Sequence, residues 1–155
     1  MEPVVFDRIK VSSGMPEMAE YFSLYSAAEW NKGHQLSPGA FYRSLQGSWY
    51  MIGVYFEGRL VGFGRIISDG ILHAHIVDLM VHPDFQGCGI GSMVLGLLVD
   101  QCRRVGIPNI RLFSEKGKTE FFVKNGFKVR MPDCSGMEYV LDENNEKPLH
   151  DAPNE

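Results

Sequence analysis

A run of closely spaced glycines holds the strongest chemical signal in the chain. Val81-His82-Pro83-Asp84-Phe85-Gln86-Gly87-Cys88-Gly89-Ile90-Gly91-Ser92 reads as a strand end, a glycine-rich loop and a helix start. Three glycines in five positions let the backbone approach a ligand closely and turn several N–H groups the same way. With a helix N-terminus just behind, those donors form an anion site suited to a pyrophosphate. A Walker loop would need Gly-Lys-Ser/Thr, which is absent, and a Rossmann fingerprint would need G-x-G-x-x-G early in a βαβ unit. Two histidines, His73 and His75, lie two residues apart, but no third ligand stands at metal-binding spacing and no metal is expected. The cysteines Cys88, Cys102 and Cys134 form no C-x-x-C pair and are odd in number, as reduced thiols would be.

The elements that must position this loop follow from periodicity and turn residues. Residues 3 to 11 read as a short strand, and Pro16 to Trp30 carries Met18, Ala19, Phe22, Tyr25 and Ala28 at near-helical spacing. Ser37-Pro38 has the form of an N-cap followed by Pro, opening a second short helix through Phe41 and Leu45. From Trp49 three β-rich runs, broken at Glu57-Gly58 and Ser68-Asp69-Gly70, make an antiparallel meander. Strict alternation along the third run places His73, His75, Val77, Leu79 and Val81 on one face, with Ala74, Ile76, Asp78 and Met80 on the other. After Pro83 the period switches, and Ile90, Val94, Leu97, Leu98, Cys102 and Val105 share a helical face that stops at Gly106. Asn109 to Phe113 follows as a strand and Thr119 to Asn125 as a helix, with Phe127 to Met131 and Met137 to Leu141 as closing strands. The order is β, α, α, β, β, β, α, β, α, β, β, with no internal repeat.

At 155 residues, 45% of them hydrophobic, the chain suits one domain with a real core. The formal net charge of -4 argues against a basic nucleic-acid binder. Five acids and one Lys fall in residues 142–155, so the charge belongs to that tail and residues 1–141, the expected domain, balance to zero. The tail is expected to be disordered. The apolar stretch Ile90 to Val99 is half the ~20 residues of a membrane span, so no membrane partner is expected. MEPVVFDRIK has acids and no apolar core, so no secretory signal and a cytoplasmic location are expected.

The sequence resembles the GNAT superfamily of acyl-CoA N-acetyltransferases. The family's Gln/Arg-x-x-Gly-x-Gly/Ala signature is matched by Gln86 to Gly91, preceded by Leu79-Met80-Val81 and followed by a helix. Its aromatic pair shortly before Gly-Phe is matched by Phe121-Phe122 and Gly126-Phe127. The resemblance covers residues 3 to 141. It implies an α/β fold with a mixed, mostly antiparallel sheet, splayed fourth and fifth strands and helices on both faces. It implies acetyl-CoA as co-substrate: backbone N–H groups of Gln86, Gly87, Cys88, Gly89, Ile90, Gly91 and Ser92 would hold the pyrophosphate. Leu79, Met80 and Val81 would bind the pantetheine arm as an added strand, and an N–H near Met80 to Val81 would polarise the thioester carbonyl. At Cys88 many relatives carry Lys, Arg or Gln, so one cation toward the phosphates is missing.

An alkyl ammonium with pKa near ~10.4 costs about 4.6 kcal/mol to deprotonate at pH 7, so a catalyst should take that proton. By its distance from the glycine loop, His75 resembles the base histidine of arylalkylamine N-acetyltransferases, and Asp78 falls where many relatives place an Asp. Both are carried as catalytic candidates, His75 directly or through a water. The family's usual acid, a Tyr beside the departing thiolate, is here Phe122, which remains a co-substrate contact without a hydroxyl. A thiol with pKa near ~8.5 leaves tolerably unaided. Glu29, Trp30, His34, Tyr42, Trp49, Tyr50 and Tyr55 offer aromatics around an acceptor amine with few acids. The expected activity is acetyl transfer to a primary amine of a small molecule by direct attack in a ternary complex. A protein N-terminus or Lys is the nearer rival acceptor, a non-catalytic acyl-CoA sensor is the rival class, and a homodimer is admitted.

Overall fold

A computed structural model describes residues 6–30, 36–131 and 135–138. Strands β1 (Ile9–Ser12), β2 (Tyr50–Phe56), β3 (Arg59–Ser68), β4 (His73–Val81) and β5 (Asn109–Arg111) form one sheet in sequence order. Helices α1 (Met18–Ala27) and α2 (Pro38–Ser44) cover one face, and α3 (Ile90–Val105) covers the other, with α4 (Thr119–Lys124) following β5.

Local chemistry explains the joints. Glu57 and Gly58 take φ values of 50° and 84°, the paired positive φ of a two-residue hairpin turn. At the next turn the Asp69 carboxylate accepts the N–H groups of Ile71, Leu72 and His73 at 2.9, 2.8 and 3.1 Å. Those bonds favour its charged form and hold its pKa down at about 2. Ser37 caps α2 by accepting from Ala40 N at 3.2 Å. α3 ends on Gly106 at φ 82°, with Gly106 N–H bonded to Arg103 O and Ile107 N–H to Cys102 O, a Schellman close whose apolar pair Cys102 and Ile107 is buried.

The α3 layer packs Val94, Leu95 and Leu98 onto Ile52, Ile66 and Ile76. The opposite layer packs Tyr21, Leu24, Phe41 and Leu45 onto Met51, Phe63 and Met80. Two glycines of β3 let α3 approach: a Cβ on Gly62 would meet Ile90 Cγ2 at 2.5 Å, and one on Gly64 would meet Val94 and Leu98 at 2.9 Å. Gly62→Ala is therefore expected to destabilise the fold by about 1–3 kcal/mol through overpacking, read as a lower urea midpoint at unchanged m. An unshifted midpoint would show that α3 can lift off the sheet freely.

β2 to β4 pair antiparallel, as the meander predicts, and β1 adds antiparallel to β2, whereas β5 joins β4 in parallel over His73–His75 with Asn109–Arg111 only. From Ile76 onward β4 has no β5 partner, and the two strands diverge. The alternation expected on β4 fails at Asp78. There the register with β3 shifts, two residues of β4 oppose Gly64 alone, and Asp78 takes φ 54°. This bulge reverses parity: Ala74 and Ile76 face α3 before it, while Leu79 and Val81 do so after it. His75 and Val77 consequently lie on the face opposite Leu79 and Val81.

Other boundaries differ from the periodicity. Residues 3–5 of the first expected strand lie outside the described residues, and Phe6–Arg8 forms a 3-10 turn before β1. The first helix occupies Met18–Ala27 rather than Pro16 to Trp30, because Glu29 turns to φ 61°. The expected strand Phe127 to Met131 is irregular: among the described residues it has no ladder partner, and Val129 and Met131 are both 71% exposed. Of Met137 to Leu141, the first two residues are irregular and 139–141 lie outside the described residues, as do Cys134 and the tail 142–155. Among the described residues no helix is long and apolar enough to cross a membrane.

Candidate active site

The diverging β4 and β5 open a cavity of about 610 Å³ with the glycine loop at one end and Ala28 and Trp30 at the other. Its β4 wall is Ile76 to Val81, and its opposite wall is Leu112, Phe113, Phe121 and Phe122. The direction of the free backbone groups can be read from one bond. His82 N–H donates to Val61 O of β3 at 2.8 Å, so strand alternation turns the N–H groups of Val81 and Leu79 away from β3 and into the cleft.

The loop matches an anion cradle in its backbone. Gly87 and Gly89 sit at φ 75° and 85°, and a Cβ on either would meet nothing within 4 Å, so open space lies where a ligand would approach. α3 starts at Gly89 without a side-chain cap, leaving the N–H groups of Ile90, Gly91 and Ser92 without helical acceptors. Gly91 is the tight member: its Cβ would come within 3.3 Å of the Phe121 ring. Gln86 spans the loop, its Nε2 donating to Val81 O at 3.1 Å. The Cys88 thiol lies outside the cleft lining, 3.6 Å from Gln86 O, and the Ile90 side chain is buried in the core.

The other expected residues separate. Met80 is buried under α1 and α2, so only its backbone can serve the cleft, whereas Leu79 and Val81 pack on the α3 side. Phe122 walls the cleft and stands edge-on to Phe121 and Phe127, at 5.1 and 6.2 Å. Asp78 lines the cleft, but its Oδ2 accepts from Arg65 Nε at 2.5 Å, and Arg65 Nη1 also donates to Ser44 O and Ser48 Oγ. Tyr21, beside this pair, has its phenol pKa pushed up by burial and then by the Asp78 charge, so it stays protonated. His75 does not line the cleft. It lies in an adjoining cavity of about 500 Å³, its ring stacked on Phe113 at 6.5 Å, and Phe113 and Phe122 wall both cavities. Of the aromatics expected around the acceptor, Trp30 lines the cleft, edge-on to Tyr25 at 6.2 Å. Tyr42 instead donates to Pro16 O, Trp49 packs beside Gly70, and His34 lies outside the described residues.

Periodicity overlooked Arg65 and Phe113. A lone Arg inside the apolar run LVGFGRII was the available signal for the first, and the apolar continuation of the β5 run for the second. Among the described residues no metal-binding cluster is present.

One titrating group sits under the loop. His82 is buried, with Nε2 2.7 Å from Arg59 Nη2 and Nδ1 3.2 Å from the Asp84 backbone N. An imidazolium would present a proton to each of these donors, and neither could then be accepted. Burial first, then Arg59, lowers its pKa, against a smaller opposite pull from Asp84. The unfolded chain therefore binds more protons than the fold below its His pKa of about 6.5, and stability falls as pH drops through 6.5 toward the depressed folded value. The urea midpoint is expected to decline between pH 7 and 5, and His82→Gln should flatten that decline. An equal slope in both proteins would place the titration elsewhere.

A sheet edge left open beside an uncapped helix N-terminus offers backbone donors to an extended, amide-bearing arm with an anionic head. The chain belongs to the Acetyltransferase (GNAT) family, whose family model matches residues 15–127. It is 44% identical over 77 residues to an uncharacterized N-acetyltransferase of Pyropia yezoensis, covering 50% of this chain and 44% of that protein. It is 35% identical over 82 residues to the chloroplastic serotonin N-acetyltransferase 2 of Oryza sativa subsp. japonica, covering 53% and 41%. The match thus spans less than half the length of either relative. Among solved structures, a Staphylococcus aureus protein of unknown function described as a probable acetyltransferase superposes with TM-score 0.75 at 26% identity, covering 86% of this chain and 99% of that one.

Proposed function

We propose that this acetyltransferase moves the acetyl group of acetyl-CoA onto the primary amine of a small molecule, by direct attack within a ternary complex. The observation that carries the reading is the continuous cleft, with backbone donors at the glycine loop, the N–H groups of Leu79 and Val81 along its β4 wall, and an apolar end at Trp30. Open space at Gly87 and Gly89 fits the close approach that a pyrophosphate requires. The N–H groups of Leu79 and Val81 hold the arm, and that of Leu79, next to the bulge, supports charge on the carbonyl oxygen as the amine adds. The C–N bond forms, the C–S bond breaks, and the thiolate leaves past Phe122 with no side-chain acid. The ammonium proton passes to water and thence to His75, whose neighbour Phe113 borders the cleft.

Two features favour a small, largely apolar amine as acceptor. Ala28, Trp30, Val77 and Phe113 give the cleft an apolar wall, and the Asp78 carboxylate beside them is paired with Arg65. The likeness to a serotonin acetyltransferase points the same way and places arylalkylamines first in a panel. Thiol release from acetyl-CoA across aryl- and alkylamines, polyamines and peptides tests the reading. Turnover with small monoamines supports it; turnover confined to peptides assigns a protein acceptor, and tight CoA binding without turnover on any amine assigns a sensor.

A further inference from the structure

We propose that Arg65 is a positioning residue for the transfer: by holding the Asp78 carboxylate it fixes the β4 bulge and so aims the Leu79 N–H at the thioester carbonyl. This rests on the acetyltransferase reading and concerns how that site is kept in shape. Asp78 is a non-glycine residue at φ 54°, a backbone state that persists only where its surroundings impose it. Its side chain is gripped by Arg65 Nε at 2.5 Å, and Arg65 is in turn tied to the end of α2 and the turn after it, through Ser44 O at 3.1 Å and Ser48 Oγ at 3.2 Å. The pair is largely withdrawn from solvent, with side chains 11% and 21% exposed, so the contact is weakly screened.

The strand opposite cannot absorb a relaxation of the bulge. Gly64, which faces it, lies so close to Val94 and Leu98 of α3 that not even a Cβ would fit. If Asp78 reverted to extended backbone, the extra residue would be lost from the bulge and strand parity would flip. The Leu79 N–H would then turn toward β3 and out of the cleft. Arg65 thus acts without touching either substrate, and its fork links the end of α2 to the amide that polarises the carbonyl.

Arg65→Gln is expected to lower kcat by ~10- to 100-fold, below the ~10²–10³-fold of losing an oxyanion donor outright, with KM for acetyl-CoA nearly unchanged. Isotope-edited infrared spectra of bound acetyl-CoA give a second readout: the wild-type enzyme should show a lowered thioester carbonyl stretch that Arg65→Gln loses. Adding Asp78→Gly to Arg65→Gln should restore both, because glycine takes positive φ without support. Should Arg65→Gln fail to fold, Arg65→Lys, which keeps the charge and loses the fork, carries the same readouts. A folded Arg65→Gln enzyme with wild-type kcat and carbonyl stretch overturns the proposal, as does a double variant that regains neither. Wild-type protein that binds no acetyl-CoA overturns the acetyltransferase reading itself.

Discussion

Gly89→Val is expected to abolish measurable acetyl-CoA binding, an affinity loss of at least ~100-fold, while the protein stays folded. The backbone at Gly89 holds φ 85°, which a β-branched residue adopts only under strain of roughly 1–2 kcal/mol or more. A Cβ there meets no protein atom within 4 Å, so the fold has room for it. That same space is where the phosphates must come to reach the N–H groups of Ile90, Gly91 and Ser92. A branched side chain fills it, and the loop amides move out of line as the backbone relaxes. Gly96→Ala supplies the control: it sits inside α3, also has nothing within 4 Å, and takes ordinary helical geometry. It should raise stability by about 0.5–1 kcal/mol without changing affinity. Titration calorimetry with acetyl-CoA and a urea melt decide the matter, and a folded Gly89→Val protein with wild-type affinity would remove the phosphate role from the loop.

His75→Ala is expected to lower kcat/KM by ~10²-fold at pH 7, with the deficit shrinking as pH rises toward the pKa of the amine. Above that pKa the acceptor arrives neutral and needs no base. Asp78, which lines the cleft, is held by Arg65, and His75 is reached across the Phe113 edge. Its ring also packs on Phe113, so truncation removes a contact as well as a base. His75→Phe keeps the packing and separates the two effects: it should match the alanine variant at pH 7 if the loss is chemical. A deficit that is the same at every pH would make His75 a structural residue and leave deprotonation to solvent.

The glycine loop, the meander and α3 were legible in the sequence because each is decided locally. Glycines at 87, 89 and 106 all take positive φ where a loop or helix end needs it, and α3 occupies the range that its apolar period marks, Ile90–Val105. The family signature lies in that same stretch, so the class of enzyme was readable there too. What the tertiary structure decided lies across strands. Alternation along β4 failed at Asp78 because a positive φ within a strand inserts an extra residue that a two-residue period does not register, and the Asp78 side chain is held by an Arg thirteen residues earlier on β3. That one bulge moved His75 off the face of Leu79 and Val81, and the pairing of His75 with Arg111 of β5 keeps it in the closed part of the ladder, outside the cleft lining. The closing strand expected at Phe127 to Met131 failed for a related reason: an alternating apolar run becomes a strand only when a neighbour accepts its hydrogen bonds, and no described strand does so. Periodicity reports which residues can share a face; bonds between distant residues determine which face that is.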